Sequence, residues 1–207
     1  MKPIFFAFFL FTGFQLYSQY KNMLNEEFDN NKNQWPVFFK SNGTADVSKF
    51  GTYLLKCDSG TLRLGIPMEI NTSKGFILEA TLGLLAPPNK KWEMSYGIIL
   101  WNKDGGNEIA LLLNAQKEFI AFNRVDYNSQ MKEKPRGGKY KIDYDNFVKL
   151  KIQLDDDVFK YFVNDKEVFF VSNKYGMIGL DHIGFFLTKN IEMTIENIIF
   201  KGELLKK

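Results

Sequence analysis

Val148-Lys149-Leu150-Lys151-Ile152-Gln153-Leu154 sets aliphatic side chains at 148, 150, 152 and 154 and polar ones at 149, 151 and 153. In a strand, alternate side chains point to opposite faces, so this segment predicts a strand with one face buried and one wet. Asp155-Asp156-Asp157 follows, then the strand-like Val158 to Val163, then Asn164-Asp165-Lys166, then Glu167 to Val171. Asp and Asn tolerate the backbone of tight turns, so the stretch reads as consecutive hairpins.

The same signal recurs on both sides of it. Phe76-Ile77-Leu78-Glu79-Ala80-Thr81-Leu82 alternates with Phe76, Leu78, Ala80 and Leu82 on one face. Further strands are expected at Thr52 to Asp58, Thr61 to Ile66, Met94 to Trp101, Glu108 to Leu113, Glu118 to Asn123, His182 to Leu187 and Ile191 to Phe200. Asn102 to Asn107 joins two of them as a turn. No run of twelve or more residues carries apolar positions at helical spacing with capping signals at both ends. Many short strands with turn signals between them predict an antiparallel sandwich or barrel. Leu85 to Glu93 and Tyr127 to Gly138 are polar and punctuated by Pro or Gly, and read as surface loops where a ligand would be sought first.

The start of the chain has a different character. Met1-Lys2-Pro3 leads into Ile4 to Leu10 and Phe11 without a charge, a basic tip followed by an apolar run of signal-peptide length. Residues 1–19 are therefore expected to be a cleavable secretion signal, with cleavage near Ser18 or Gln19, and residues 20–207 one β-sandwich domain. The apolar run is shorter than the ~20 residues a membrane helix needs. No later segment is long and apolar enough to span, so no membrane span is expected after cleavage.

Cys57 is the only cysteine, which rules out an intramolecular disulfide. It sits in the strand-like Tyr53 to Asp58 and is expected to be buried and inert. The 27 Lys and Arg against 24 Asp and Glu give a formal charge of +3, with the signs interspersed, so nothing points to nucleic acid.

Several segments, in this order, resemble a known family: Phe28-Asp29-Asn30-Asn31-Lys32-Asn33-Gln34-Trp35, Gly75 to Ala80, Tyr96-Gly97-Ile98-Ile99-Leu100-Trp101, Phe162 to Val168, and His182-Ile183-Gly184-Phe185-Phe186. They look like the exported concanavalin A-like jelly-roll domains, akin to laminin-G-like modules, of the Bacteroidetes type. The similarity spans Phe28 to Phe200. It implies an all-β fold, a two-sheet antiparallel jelly-roll sandwich of the concanavalin A-like lectin and glucanase type. Asp165 stands where the family's hairpin turn carries glycine, a change the turn accepts. Such folds host lectins, sugar-cleaving enzymes and adhesion modules alike, so the resemblance transfers fold and not activity.

Catalytic chemistry finds little support. Glucanases of this fold place carboxylates at alternate positions of one strand. Glu27-Phe28-Asp29 begins that way, but Lys32 takes the place of the second glutamate; Glu192 and Glu196 share a face of the last strand but have Thr194 between them. His182 is the only histidine, and its place at the mouth of a strand is that of a structural residue. No cofactor is expected. One His and one Cys far apart in sequence make a poor zinc site, and a calcium site would fall at Asp155-Asp156-Asp157 with Asp104 and Asn107 as weaker ligands, but a hairpin turn accounts for the three aspartates without an ion.

Aromatic residues carry the remaining signal, because a ring face packs on the C–H groups of a sugar while neighbouring Asn, Asp and Lys bond its hydroxyls. Trp92, in the polar loop, and Tyr96, just after it, are the candidate ligand-binding residues. Trp35 and Trp101 are expected to fill the core. The reading is an exported, non-catalytic carbohydrate- or cell-surface-binding module, periplasmic or extracellular, with a glycan or a surface protein as its partner. A structural or protein-interaction module without a small ligand comes next, and a divergent glycoside hydrolase last.

Overall fold

The computed structural model describes residues 20–85, 95–104, 106–114, 118–127, 130–131, 136–139, 147–173 and 179–205. The expected signal at 1–19 and the loop that holds Trp92 lie outside them. Sixteen strands and one short 3-10 turn, Thr72–Lys74, make up the regular structure of the described residues.

The strands run β1 (Lys21–Glu26), β2 (Phe38–Lys40), β3 (Gly43–Ser48), β4 (Thr52–Cys57), β5 (Thr61–Pro67), β6 (Phe76–Leu84), β7 (Ser95–Trp101) and β8 (Asn107–Asn114). They continue with β9 (Glu118–Tyr127), β10 (Gln130–Met131), β11 (Arg136–Lys139), β12 (Phe147–Asp155), β13 (Val158–Val163), β14 (Lys166–Ser172), β15 (His182–Thr188) and β16 (Ile191–Gly202). Two antiparallel sheets result. One is nine-stranded, in the order β14-β13-β12-β6-β16-β4-β3-β2, with β1 also paired to β16; the other is seven-stranded, in the order β10-β9-β8-β7-β15-β5, with β11 also paired to β9.

The alternation that opened the sequence reading sets the layers. Val148, Leu150, Ile152 and Leu154 of β12 are buried and face inward, in register with Leu82, Ala80, Leu78 and Phe76 of β6. On the wet side Lys149 pairs with Glu79 at 3.0 Å and with Asp165 at 3.3 Å. From the facing sheet come Ile98, Leu100, Ile109, Leu111, Leu113, Ile183, Phe185 and Leu187, closing a single core between the layers. This is the jelly-roll sandwich expected.

Both hairpin turns take the expected form. Asp156 and Asp157 have φ of 46° and 58°, and Asn164 and Asp165 have 47° and 61°, so both central residues of each two-residue turn are left-handed, as a type I′ turn requires. The Asp triplet is thus spent on the turn, with Asp155 held 3.3 Å from Lys160.

The Phe28 to Trp35 motif is a structural knot. Asn31 brackets Trp35, its side-chain oxygen accepting from the Trp35 backbone N–H at 2.7 Å and its amide donating to the Trp35 carbonyl at 2.8 Å. That holds the indole in the core beside Phe28, Tyr53 and Phe185, with ring centroids 5.4 to 5.7 Å from it. Buried Glu26 accepts from the Phe28 backbone N–H at 3.1 Å and from the Asn33 amide.

Strand β16 carries a bulge. Its register against β6 slips between Ile195 and Asn197, which leaves Glu196 as the extra residue of a bulge. Ile191, Met193 and Ile195 face the core up to that point, so Glu192, Thr194 and Glu196 turn outward together, as expected, with Thr194 between the two glutamates.

Candidate functional site

The outward face of the seven-stranded sheet is where the chemistry collects. Register fixes its rows. Pro67, His182, Trp101, Glu108 and Arg124 lie side by side across β5, β15, β7, β8 and β9; Gly65, Gly184, Ile99 and Ala110 form the next row, and Arg63, Phe186, Gly97 and Leu112 the one after. Since the residues between them in sequence are the core ones, all of these side chains turn away from the core.

The face is partly apolar. Ile99, Ala110 and Leu112 are buried and form a second small cluster with Trp101, Ile120 and Phe186 packed against it. Such burial on an outward face is unusual for a sheet wetted on that side, and it means that neighbouring side chains cover these residues.

Two glycines shape that face. A Cβ at Gly184 would stand 2.0 Å from the Leu64 carbonyl oxygen, and one at Gly65 would stand 2.0 Å from the Ile183 oxygen and 2.6 Å from Cη2 of Trp101. The backbones of β5 and β15 approach so closely there that only glycine fits. The bare surface seats the Trp101 indole, which leans from β7 over β15 and stacks on His182, with ring centroids 5.1 Å apart and planes 24° apart.

His182 is held in turn. Its Nδ1 lies 2.6 Å from Asp181 Oδ1, the oxygen that also accepts the Lys103 backbone N–H at 2.8 Å. The Asp181 backbone N–H donates to the Trp101 carbonyl at 3.1 Å. Asp181 therefore fixes both the imidazole and the turn after Trp101. Asp181 and His182 together support the indole.

Beside the aromatic pair lies an ion cluster. Glu108, 3% exposed, receives Nη2 of Arg63 at 3.0 Å and Nη2 of Arg124 at 2.9 Å. Arg63 also passes over the Phe186 ring at 5.9 Å. The reach of Arg63 is informative. Between β5 and β8 lie β15 and β7, so three strand intervals, roughly 14 Å on a flat sheet, and four residue steps, also roughly 14 Å, separate Arg63 from Glu108. Direct contact across that diagonal requires the face to curve inward, in keeping with the crowding at Gly65 and Gly184.

Two expectations about aromatic residues change here. Tyr96 is fully buried within the core, so its ring has no face to offer a ligand. Trp101 is not a core residue but a partly exposed one on the outer face. The residues 95 to 100 are all buried, so nothing in their chemistry told which parity faced inward. Trp92 lies outside the described residues.

The other candidates do not assemble. Glu27 and Asp29 are exposed and line a polar recess of about 110 Å³ with Asn25, Glu26, Asn30 and Lys32, which has no aromatic wall. On the outer face of the seven-stranded sheet Glu108 is tied to its arginines, and Glu118, at the opposite end of the β8–β9 pair, is bonded to Asn114. Glu108 and Glu118 are too far apart to be the close pair that glycoside hydrolysis needs. No group of three or more His, Cys, Asp or Glu among the described residues is placed to hold a metal. No described helix is long and apolar enough to cross a membrane. Burial pushes the Cys57 thiol up from its ordinary pKa, the opposite of a reactive cysteine.

The architecture is that of concanavalin A-like and galectin-like jelly-roll domains. A carbohydrate-binding module from Bacillus subtilis is similar at a TM-score of 0.55 and 13% identity, over 81% of this chain and 100% of that one. The carbohydrate recognition domain of Emp46p, in its potassium-bound form, gives 0.60 at 11% identity over 83% and 90%. A β-glucanase from Bacillus licheniformis gives 0.58 at 9% identity over 88% and 98%. At such identities the likeness is one of fold. No family model matches the chain, and no curated protein does.

Proposed function

We propose that this chain is an exported, non-catalytic carbohydrate-binding module whose ligand lies on the outer face of the seven-stranded sheet. The observation that carries the reading is the Trp101 indole, partly exposed on the outer face and stacked on His182, in the same face as Arg63, Glu108 and Arg124. An aromatic platform bordered by hydrogen-bonding groups suits a sugar ring, whose C–H face packs on the indole while its hydroxyls meet the polar rim. The binding modules and lectin domains among the similar folds support the reading. Export rests on the character of residues 1–19, and the domain is proposed to act in the periplasm or outside the cell. Trp92 is retained as a second ring that a bound glycan would meet.

Titration of the mature chain against a panel of oligosaccharides tests this. Binding to at least one glycan is expected, with Trp101→Ala weakening it at least about tenfold, the loss of one good stacking contact, while the melting temperature stays within a few degrees. Binding that survives Trp101→Ala unchanged would move the site elsewhere, and no binding to any glycan would sink the reading. A protein-interaction role is favoured at a different place: Phe39 and Phe50, 74% and 81% exposed, stand near the free β2 edge of the nine-stranded sheet.

A further inference from the structure

We infer that the β14 edge of the nine-stranded sheet is a self-association surface, on which a second copy of this chain lays its own β14 antiparallel and continues the sheet. Among the described residues β14 has β13 on one side and no strand on the other. One bond shows where its free backbone groups point. The Asn173 N–H donates to the Asp157 carbonyl at 2.7 Å while Ser172 stands opposite Val158, so Ser172 and Val158 are a non-hydrogen-bonded pair of the hairpin. Backbone direction alternates along a strand, and Phe170 therefore shares the orientation of Ser172: both turn N–H and C=O away from β13.

Sheet edges are ordinarily blunted by charge, proline or brevity. The opposite edge of this sheet follows that rule, since β2 has three residues and ends on Lys40. Strand β14 has seven residues, and its stretch Val168-Phe169-Phe170-Val171-Ser172 carries neither charge nor proline. Phe170 is 65% exposed, and Phe169 and Val171, on the core side, are only partly buried. The register shift at Val168 confines regular pairing to the residues after it.

Symmetry selects the occupant. A two-fold axis at Val171 sets Phe170 of each copy opposite Ser172 of the other, and these are the residues with outward backbone groups. Each such pair exchanges two bonds, so four backbone bonds form. Val171 meets its counterpart on the core side, while on the outer side the two Phe170 rings are diagonal neighbours within reach of each other. No charge from this stretch is brought against its like, so the edge is complementary to itself.

The axis stands perpendicular to the sheet, because an antiparallel neighbour keeps each side chain on its own face. Both seven-stranded sheets then lie on the same side of the joined sheet, and both Trp101 platforms face the same way. Resting on the carbohydrate-binding reading, the pair would meet a glycan-coated surface at two points and gain avidity without a new contact.

Sedimentation equilibrium of the mature chain without glycan tests the surface, over about 1 to 500 μM. Four backbone bonds and a small apolar patch fall below a standard interface, so a dimer with a Kd on the order of 10 to 100 μM is expected. Ser172→Pro deletes an outward N–H at a position where an edge strand accepts proline, and Phe170→Lys sets two ammonium groups near the axis. Each should weaken dimerisation at least about tenfold with the melting temperature within a few degrees of the parent. Phe39→Lys, on the other edge, and Trp101→Ala should leave it unchanged. A monomer across the whole range, or a dimer that Ser172→Pro and Phe170→Lys both leave intact, would overturn the assignment. A dimer broken by Phe39→Lys would overturn it too, by placing the contact at β2. Since dimerisation is read without glycan and glycan binding by a separate titration, either can fail while the other stands.

Discussion

Trp35 and Trp101 are both expected in the core, and they end in opposite places. Trp35 is drawn inward by Asn31, a side chain four residues away that binds both its backbone groups. This is a local device, and the core role of Trp35 was accordingly legible. Trp101 is seated by Gly65, on a strand that is its neighbour only after β15 has inserted between them. No local pattern contains that fact, and Tyr96 was mistaken for a surface ring for the same reason. Tyr53, in the aromatic knot, donates its hydroxyl to the Pro36 carbonyl at 2.6 Å, and burial raises its pKa well above the usual phenol value. The sign follows directly. Below about pH 10 the phenol is neutral folded or unfolded; above it the unfolded chain loses the proton first, so stability falls as pH climbs. Tyr53→Phe should therefore cost about 1 kcal/mol at neutral pH by orphaning the carbonyl, yet flatten the alkaline decline in urea midpoints. An equally steep decline in the variant would place the titrating group elsewhere.

Hairpins are the elements that sequence describes best, because their determinants are adjacent in the chain. The two type I′ turns, at Asp156-Asp157 and Asn164-Asp165, lie where the polar breaks in alternation put them. Asp157 pays for its left-handed φ of 58° with steric strain that glycine would not have. Asp157→Gly is expected to raise stability by about 0.5 kcal/mol, seen as a higher urea midpoint; a drop would mean that the carboxylate has a partner worth more than the strain. Strands β1 to β3 were not foreseen. Gly43 to Ser48 contributes only Ala45 to the fully buried core, and β1 is mostly polar, so neither shows a two-residue period strong enough to read. Their pairing is dictated by β4 and β16, elements distant in sequence. The bulge at Glu196 was hidden for a similar reason, since it is visible only against its partner β6.

At the scale of the molecule, the layers and the core followed from repeated alternation, whereas the outer face owes its contacts to curvature, which no one-dimensional pattern encodes. Without disulfides, the sandwich relies on its core, and Cys57 lies wholly inside it. Its thiol should react with an aromatic disulfide reagent only as fast as the sheet opens, so the labelling rate in native buffer should follow the unfolding free energy measured with urea. Fast labelling that ignores added urea would show that β4 frays independently of the rest. Strand β16 has a further consequence. Residues 191–202 pair with β6 along one side and with both β4 and β1 along the other, so one late segment joins portions of the nine-stranded sheet that are otherwise separate. As the chain emerges during synthesis, the earlier strands wait with unfilled edges until this segment arrives, and completion of the sheet is set by the longest loop closures in the fold. The principal sheet therefore cannot be completed before its final strand is made.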